Sequence, residues 1–335
     1  MKSYIFKSIF VCSIIAIMCI ACSNDDDEPG QQVRLDNAEQ LTFSQNGESA
    51  QNPAFSPDGK YILFTRFKNG YNEPPSELVK ININTKEETV IIPAQNDVEH
   101  ISVPGSSWIN GKICWSSDIA GQSNEIYTAN DDGTEIRQIT NHPESAGYYI
   151  EPVFNPLDTS KIIFEFGSSD ASPHQIALVE LDKNNKVTIL TNDSHFDDRL
   201  PNWSYDGRKI LFQRASAGAE NWQIHIAEID FTGIDPTLKV VTKINQPSSP
   251  NTDNSWYYNN NYILSSTKYN SVMPNIFALP LNIGNPIRIS NTNTNEDGAP
   301  SCSLDGKQIA FETHFGEDEE YPSEIWIIEI PNILK

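Results

Sequence analysis

The sequence predicts an all-β protein: a six-bladed β-propeller of four-stranded antiparallel blades, its ring closed by the N-terminal strand completing the last blade. Three observations predict it. A hairpin signature recurs, one isoleucine returns about every 49 residues, and a strand with no unit of its own precedes the first repeat.

The hairpin reads FSPDGKYILF at residues 55–64, WSYDGRKILF at 203–212 and CSLDGKQIAF at 302–311. Ser56-Pro57-Asp58-Gly59 sets proline where φ is preset and glycine where φ is positive, which is turn chemistry. Asn110-Gly111, Asn259-Asn260 and residues 155–160 are degenerate versions. The strand after each turn carries Ile62, Ile113, Ile162, Ile210, Ile263 and Ile309, at spacings of 51, 49, 48, 53 and 46. Two residues on, facing the same way along a strand, stand Phe64, Trp115, Phe164, Phe212, Ser265 and Phe311.

A third strand follows in every unit: SELVKINI from Ser76, NEIYTAN from Asn124, HQIALVELD from His174, WQIHIAEID from Trp222, NIFALPLN from Asn275 and EIWIIEI from Glu324. Each alternates or runs apolar, with β-branched and aromatic enrichment. EETVIIP, EIRQIT, VTILT, LKVVTK and PIRIS supply fourth strands to five units, and the sixth lacks one. NAEQLTFSQNG, residues 37–47, reads like EIRQITNHPES and supplies the missing strand from the front of the chain. Joining the two removes an open sheet edge. A β-helix has much shorter repeats and a sandwich does not repeat at this period. The blades are expected at about 47–92, 93–140, 141–191, 192–243, 244–290 and 291–335 plus 33–43.

NPAFSPDGKYILF, RLPNWSYDGRKILF and GAPSCSLDGKQIAF resemble the PD40, or WD40-like, repeats of TolB-type β-propellers. The resemblance covers about residues 33–335, with three units matching well and three degenerate. TolB carries an additional N-terminal α/β domain that contacts the Tol machinery. No such domain is expected between Cys22 and Val33, so a Tol–Pal role is not expected either.

The first residues read as targeting. Lys2 and Lys7 precede an apolar run at residues 8–21, too short to span a bilayer, which ends in CIAC. This resembles the lipobox of bacterial lipoproteins, whose cysteine is diacylated. It implies a signal peptide over 1–21, lipidation at Cys22 and an acidic tether over 22–32. An ordinary secretory signal, or an uncleaved anchor, is the alternative. SNDDDEPG, residues 23–30, resembles the export signal of surface-exposed Bacteroidetes lipoproteins. The expected location is the outer membrane, on its periplasmic leaflet or at the cell surface.

The net charge is −22, and removing residues 1–21 takes away two lysines and no acid, leaving −24. Such a chain repels nucleic acid and anionic membrane surfaces, so anchoring falls to the lipid. A monomer is expected. Cys12 and Cys19 lie in the signal; Cys114 and Cys302 stand at apolar strand positions of different repeats and read as two buried thiols.

Chemistry is expected at the mouth of the central channel, lined by loops that enter each innermost strand: 45–52, 95–103, 141–151, 192–200, 246–253 and 292–299. His100, His142 and His195 fall in consecutive loops, with Glu151, Asp197, Asp198 and Arg199 beside them. Tyr148 offers a stacking surface. Asp297 adds negative charge, as do Glu48, Asp253 and Glu296. These residues form a candidate ligand-binding mouth. Its charge suits a cationic ligand or basic partner, or simply follows from an acidic composition. Oligogalacturonate lyases resemble this chain at the repeat level and hold a divalent metal through histidines. Here His100, His142 and His195 stand at unequal distances before Pro104, Pro152 and Pro201, so no metal and no cofactor is expected.

Trp108, Trp203 and Trp256 sit on innermost strands and read as inter-blade packing, and Trp222 and Trp326 as core. The sequence contains no G-x-S-x-G, H-E-x-x-H, P-loop or G-x-G-x-x-G motif, and no residue is assigned a catalytic role. The expected function is a non-catalytic binding or scaffolding module of the bacterial envelope, taking an envelope protein, peptide or glycan at the channel mouth. The alternative is a carbohydrate-active lyase or hydrolase with a His/carboxylate site in the funnel, with or without a metal.

Overall fold

The computed structural model describes residues 34–121, 123–142, 147–167, 173–219, 221–244, 251–315 and 322–334. Residues 1–32 form one unit and 33–335 another. The signal peptide, Cys22 and the tether lie outside the described residues.

The second unit is a six-bladed β-propeller of four-stranded antiparallel blades. The closing strand is β1 (Glu39–Gln40). Blade 1 is β2 (Ser49–Phe55), β3 (Tyr61–Phe67), β4 (Ser76–Asn82) and β5 (Glu88–Ile92). Blade 2 has its innermost strand split into β6 (His100–Ile101) and β7 (Trp108–Ile109), followed by β8 (Lys112–Ser117), β9 (Glu125–Asn130) and β10 (Arg137–Gln138). Blade 3 is β11 (Tyr148–Asn155), β12 (Asp158–Gly167), β13 (Gln175–Glu180) and β14 (Lys186–Ile189). Blade 4 is β15 (Phe196–Trp203), β16 (Lys209–Ser216), β17 (Gln223–Asp230) and β18 (Thr237–Lys243). Blade 5 is β19 (Asn251–Trp256), β20 (Tyr262–Thr267), β21 (Asn275–Pro280) and β22 (Ile287–Arg288). Blade 6 is β23 (Asn295–Cys302), β24 (Gln308–Phe315) and β25 (Ser323–Glu329), with β1 outermost.

The hairpin turns form for the reasons their residues give. Gly59, Gly207 and Gly306 adopt φ of 70°, 64° and 67°. Ser56 Oγ donates to Asp58 (2.8 Å) and accepts from the Tyr61 amide (3.0 Å); Ser204–Asp206 and Ser303–Asp305 repeat the arrangement. The recurring isoleucines are fully buried, and the aromatics beyond them fill the seams between neighbouring blades. One seam, between blades 6 and 1, holds Leu41, Phe55, Ile62, Phe64, Ile325 and Ile327. Cys114 and Cys302 are free buried thiols, and burial drives the Cys302 thiol up to about 12. Trp108, Trp203, Trp256 and Trp326 are buried. Trp222 does not take the core place expected of it: it stands just before β17, half-buried, with the Arg199 guanidinium 5.2 Å over its ring. Its place at the mouth of the strand takes it out of the seam.

β1 pairs antiparallel with β25, Glu39 opposite Ile327 and Gln40 opposite Trp326, and the Leu41 amide donates to the Ile325 carbonyl at 2.8 Å. The likeness of QLTFS to RQITN carries into hydrogen bonds. Thr42 Oγ1 donates to Glu324 (2.5 Å) and accepts from the Ile325 amide, as Thr140 Oγ1 donates to Glu125 (2.5 Å) and accepts from the Ile126 amide. Arg34 secures the junction. Its guanidinium is bidentate to Asp297 (3.0 and 2.9 Å) and to Asp36 (3.0 and 2.9 Å), and lies 4.8 Å from the Trp326 ring centre.

Candidate functional site in the central channel

Every innermost strand except the split one of blade 2 carries a register shift at the same level. A bulge re-aims side chains, and here it turns Asn52, Glu151, Leu200, Asp253 and Ala299 toward the channel. Their φ angles are 58°, 55°, 52°, 51° and 45°. Non-glycine residues rarely adopt this left-handed region, and each instance costs about 1–3 kcal/mol unless its surroundings enforce it. In four of the five the next residue is proline, and these positions end the loops named from the sequence. In blade 2 Gly105 takes the positive φ, 96°, and a Cβ there would meet the Asn202 side chain at 2.5 Å.

The bulges leave backbone amides to satisfy, and buried carboxylates of the preceding blade do so. Glu312 accepts from the Asn52 amide (2.8 Å) and Glu165 from the Leu200 amide (3.0 Å). Both acids stand three residues beyond the recurring isoleucine. The equivalent positions in the other blades hold Thr65, Ser116, Gln213 and Ser266, all buried. The hairpin end of the channel is bridged: Asn202 donates to the Pro104 carbonyl (3.0 Å) and the Tyr205 hydroxyl to the Cys302 carbonyl (2.9 Å).

Two adjoining cavities occupy the channel, of about 300 Å³ and about 600 Å³. Both are lined by Glu99, Ile101, Glu151, Leu200 and Asp253. The smaller also reaches Asn254 and Glu312, and the larger Asn124, Tyr148, Glu165, His174 and Arg199. Burial raises the Glu99 carboxyl. It drives Glu151 well above the usual range, helped by the charges of Glu165 and Asp253. Asp253 is pushed up to about 6 by burial and then by Glu312. At the wall of the larger cavity the Tyr148 hydroxyl donates to His174 Nε2 (2.5 Å), and His174 Nδ1 contacts Glu165. Glu165 thereby fixes the imidazole tautomer, leaving Nε2 to accept from the phenol.

Of the residues singled out from sequence, Tyr148, Glu151 and Arg199 line the larger cavity together. Asp197 stands behind them, bidentate to Arg199 and accepting the His174 amide at 2.9 Å. The others serve elsewhere. Asp297 is fully buried in the Arg34 junction, and Asp198, 2% exposed, is bidentate to Arg214. His142 Nδ1 lies 2.6 Å from Glu125 and its ring packs against Tyr149. His195 is exposed and meets Asp193 at 2.8 Å. His100 is 1% exposed, its ring nitrogens bond to no described group, and burial pushes it down to about 4. Among the described residues no group of His, Cys, Asp and Glu is arranged to hold a metal ion. Sequence reasoning missed Glu165, His174 and Glu312 as site residues. The signal for the two glutamates was the position three past the repeat isoleucine.

No protein-family model and no curated protein matches the sequence. Solved structures do match. TolB from Acinetobacter baumannii is similar at 15% identity and a TM-score of 0.56, over 85% of this chain and 64% of that one. An oligogalacturonate lyase in complex with manganese is similar at 14% identity and 0.55, over 88% and 80%. The calcium-binding protein regucalcin from Agrobacterium tumefaciens is similar at 12% identity and 0.57, over 88% and 94%. The fold is TolB-like, and at these identities the likeness speaks for the fold alone.

Proposed function

We propose that the chain is a ligand-binding propeller of the bacterial envelope, held to the outer membrane by a lipid on Cys22 and acting as a monomer. The ligand is a segment of an envelope protein, a peptide or a glycan, received in the channel from the loop end. One observation carries this reading: inner strands of five blades each hold a non-glycine residue in a left-handed bulge that faces one pair of adjoining cavities. Strain repeated at one level of a rigid scaffold is the kind that a binding surface requires. The net charge of −22 disfavours nucleic acid as the partner. Thermal-shift screening against envelope peptides and glycans is the test. A ligand that raises Tm, with the rise lost in Tyr148→Phe and Arg199→Ala, supports the reading; ligands indifferent to both changes overturn it. Mass spectrometry of the native protein tests the anchor, which fails if Cys22 carries no acyl chains.

A second reading has its own observation. The Tyr148–His174–Glu165 chain opens on the larger cavity beside Glu151, the arrangement of a proton-transfer site. In it Tyr148 exchanges a proton with a glycan, and Glu151 acts as the acid. Turnover of oligosaccharides, abolished in Tyr148→Phe, would establish it over a purely binding role.

A further inference from the structure

We propose that the ligand group recognised in the channel is a primary ammonium, held where the two cavities meet by the carboxylates of Glu99, Glu151 and Asp253. This rests on the channel being a ligand site and names the chemistry it selects.

The other acids of the channel are already matched. Glu165 is matched by His174 and the Leu200 amide, and Glu312 by His314 and the Asn52 amide. Glu99, Glu151 and Asp253 come from innermost strands of three different blades, or the loops entering them, and all three line both cavities. None forms an ion pair among the described residues at salt-bridge distance, although Asp253 accepts from the Ala299 amide and Glu99 from Asn124 Nδ2 at 3.5 Å. Arg199 faces Glu151 but is bidentate to Asp197.

Two further atoms point to a donor-bearing ligand. Glu151 Oε2 is shut off from solvent and accepts no hydrogen bond from any described group. Asn254 lines the smaller cavity and is 5% exposed. Its amide nitrogen donates to the Asn251 carbonyl (3.3 Å), while its Oδ1 is likewise unmatched. Both are acceptors. Buried acceptors without donors are costly, and the ligand that answers them brings N–H groups and positive charge. An ammonium has three N–H donors and no acceptor, which suits cavities whose lining is rich in acceptors. A uronate or phosphate would add an anion to a cavity that already holds them.

Isothermal titration calorimetry on the purified chain at pH 7 tests this, with four probes. Glucosamine and Nα-acetyl-lysine amide carry the ammonium, one on a sugar and one on a peptide unit. N-acetylglucosamine is the neutral control and glucuronate the anionic one. At least one ammonium probe is expected to bind, and which one identifies the source as glycan or peptide. Affinity should fall about tenfold or more in Glu151→Gln and in Asp253→Asn, as loss of one partner of a desolvated charge pair does. It should also fall at pH 5, below the value of about 6 to which the Asp253 carboxyl is pushed. Glu99→Gln, nearer the loop end, keeps the test open should either buried variant fail to fold. If N-acetylglucosamine binds as well as glucosamine, the ammonium claim is wrong while the channel remains a binding site. If no probe binds, or binding survives all three substitutions, the claim is overturned, and the wider reading stands or falls on the peptide and glycan screen.

Discussion

Asp253 opposes folding at neutral pH. Its carboxyl, pushed up to about 6 by burial and the charge of Glu312, holds its proton more tightly in the fold than the ordinary aspartate of an unfolded chain. Such a group favours the folded state below about pH 4 and withdraws that support as pH rises through 6. Asp253→Asn is therefore expected to melt above the wild type at pH 8, by the equivalent of about 1–3 kcal/mol, with the gap closing toward pH 4. Thermal melts across that range check it; a variant that melts lower at pH 8 would mean that the hydrogen bond from the Ala299 amide outweighs the burial. His174 has the opposite balance. It supplies the donor to Glu165, which is 2% exposed, and accepts from Tyr148. His174→Ala should lower stability by about 1–3 kcal/mol, the range for stranding a buried polar group. Tyr148→Phe, which leaves the His174–Glu165 contact in place, should cost less than about 1 kcal/mol. Urea unfolding of the two variants distinguishes them.

At the scale of the element, the junction of β1 with β25 and the hairpin turns make separate demands. Arg34 is enclosed between two carboxylates and two aromatic rings, and Asp297 beside it is fully buried. Arg34→Ala strands that charge and is expected to cost about 3–5 kcal/mol. Asp297→Asn in the same background should recover part of the loss, and a double-mutant cycle by urea unfolding reads the coupling. The turns predict a contrast. Gly59 and Gly207 both have positive φ, but a Cβ at Gly59 meets nothing within 4 Å whereas one at Gly207 meets Asn155 Oδ1 at 2.5 Å. Gly59→Ala should cost about 1 kcal/mol. Gly207→Ala should cost more, because Asn155 also donates to the Gly207 carbonyl (2.9 Å) and cannot move freely. Equal losses in denaturant titrations would show that backbone strain alone sets the effect.

Over the whole molecule, the architecture was legible because it is written six times. Ile62 and its five counterparts fix the period, Asp-Gly turns mark the hairpins, and QLTFS announces a fourth strand by its likeness to RQITN. The site was legible only in part. Tyr148, Glu151 and Arg199 stand in the loop entries, and proline after Glu151 marks the bulge that aims it inward. Glu165 and His174 were hidden because one belongs to the second strand of blade 3 and the other stands just before the third, and only the antiparallel register brings them beside Tyr148. The misplaced Asp297 and Asp198 share one cause: arginines from distant sequence positions or the neighbouring strand claimed them. Ring closure makes its own prediction. Deleting residues 34–44 leaves the outer edge of β25 unpaired, and an open edge templates association. Size-exclusion chromatography with light scattering should show dimers or larger species; a stable monomer would mean the edge is covered in another way.

The joining of β1 to β25 also has a consequence in time. Arg34 and Thr313, which touch in the finished protein, are 279 positions apart. A ribosome adds about 5–20 residues each second, so the first segment waits roughly 15–60 s for its partner to be made. During vectorial synthesis blades 1 to 5 have all their strands in hand, while the sixth stays unsealed until β25 has been made. Whatever shields the early segment in that interval decides the yield of sealed wheels.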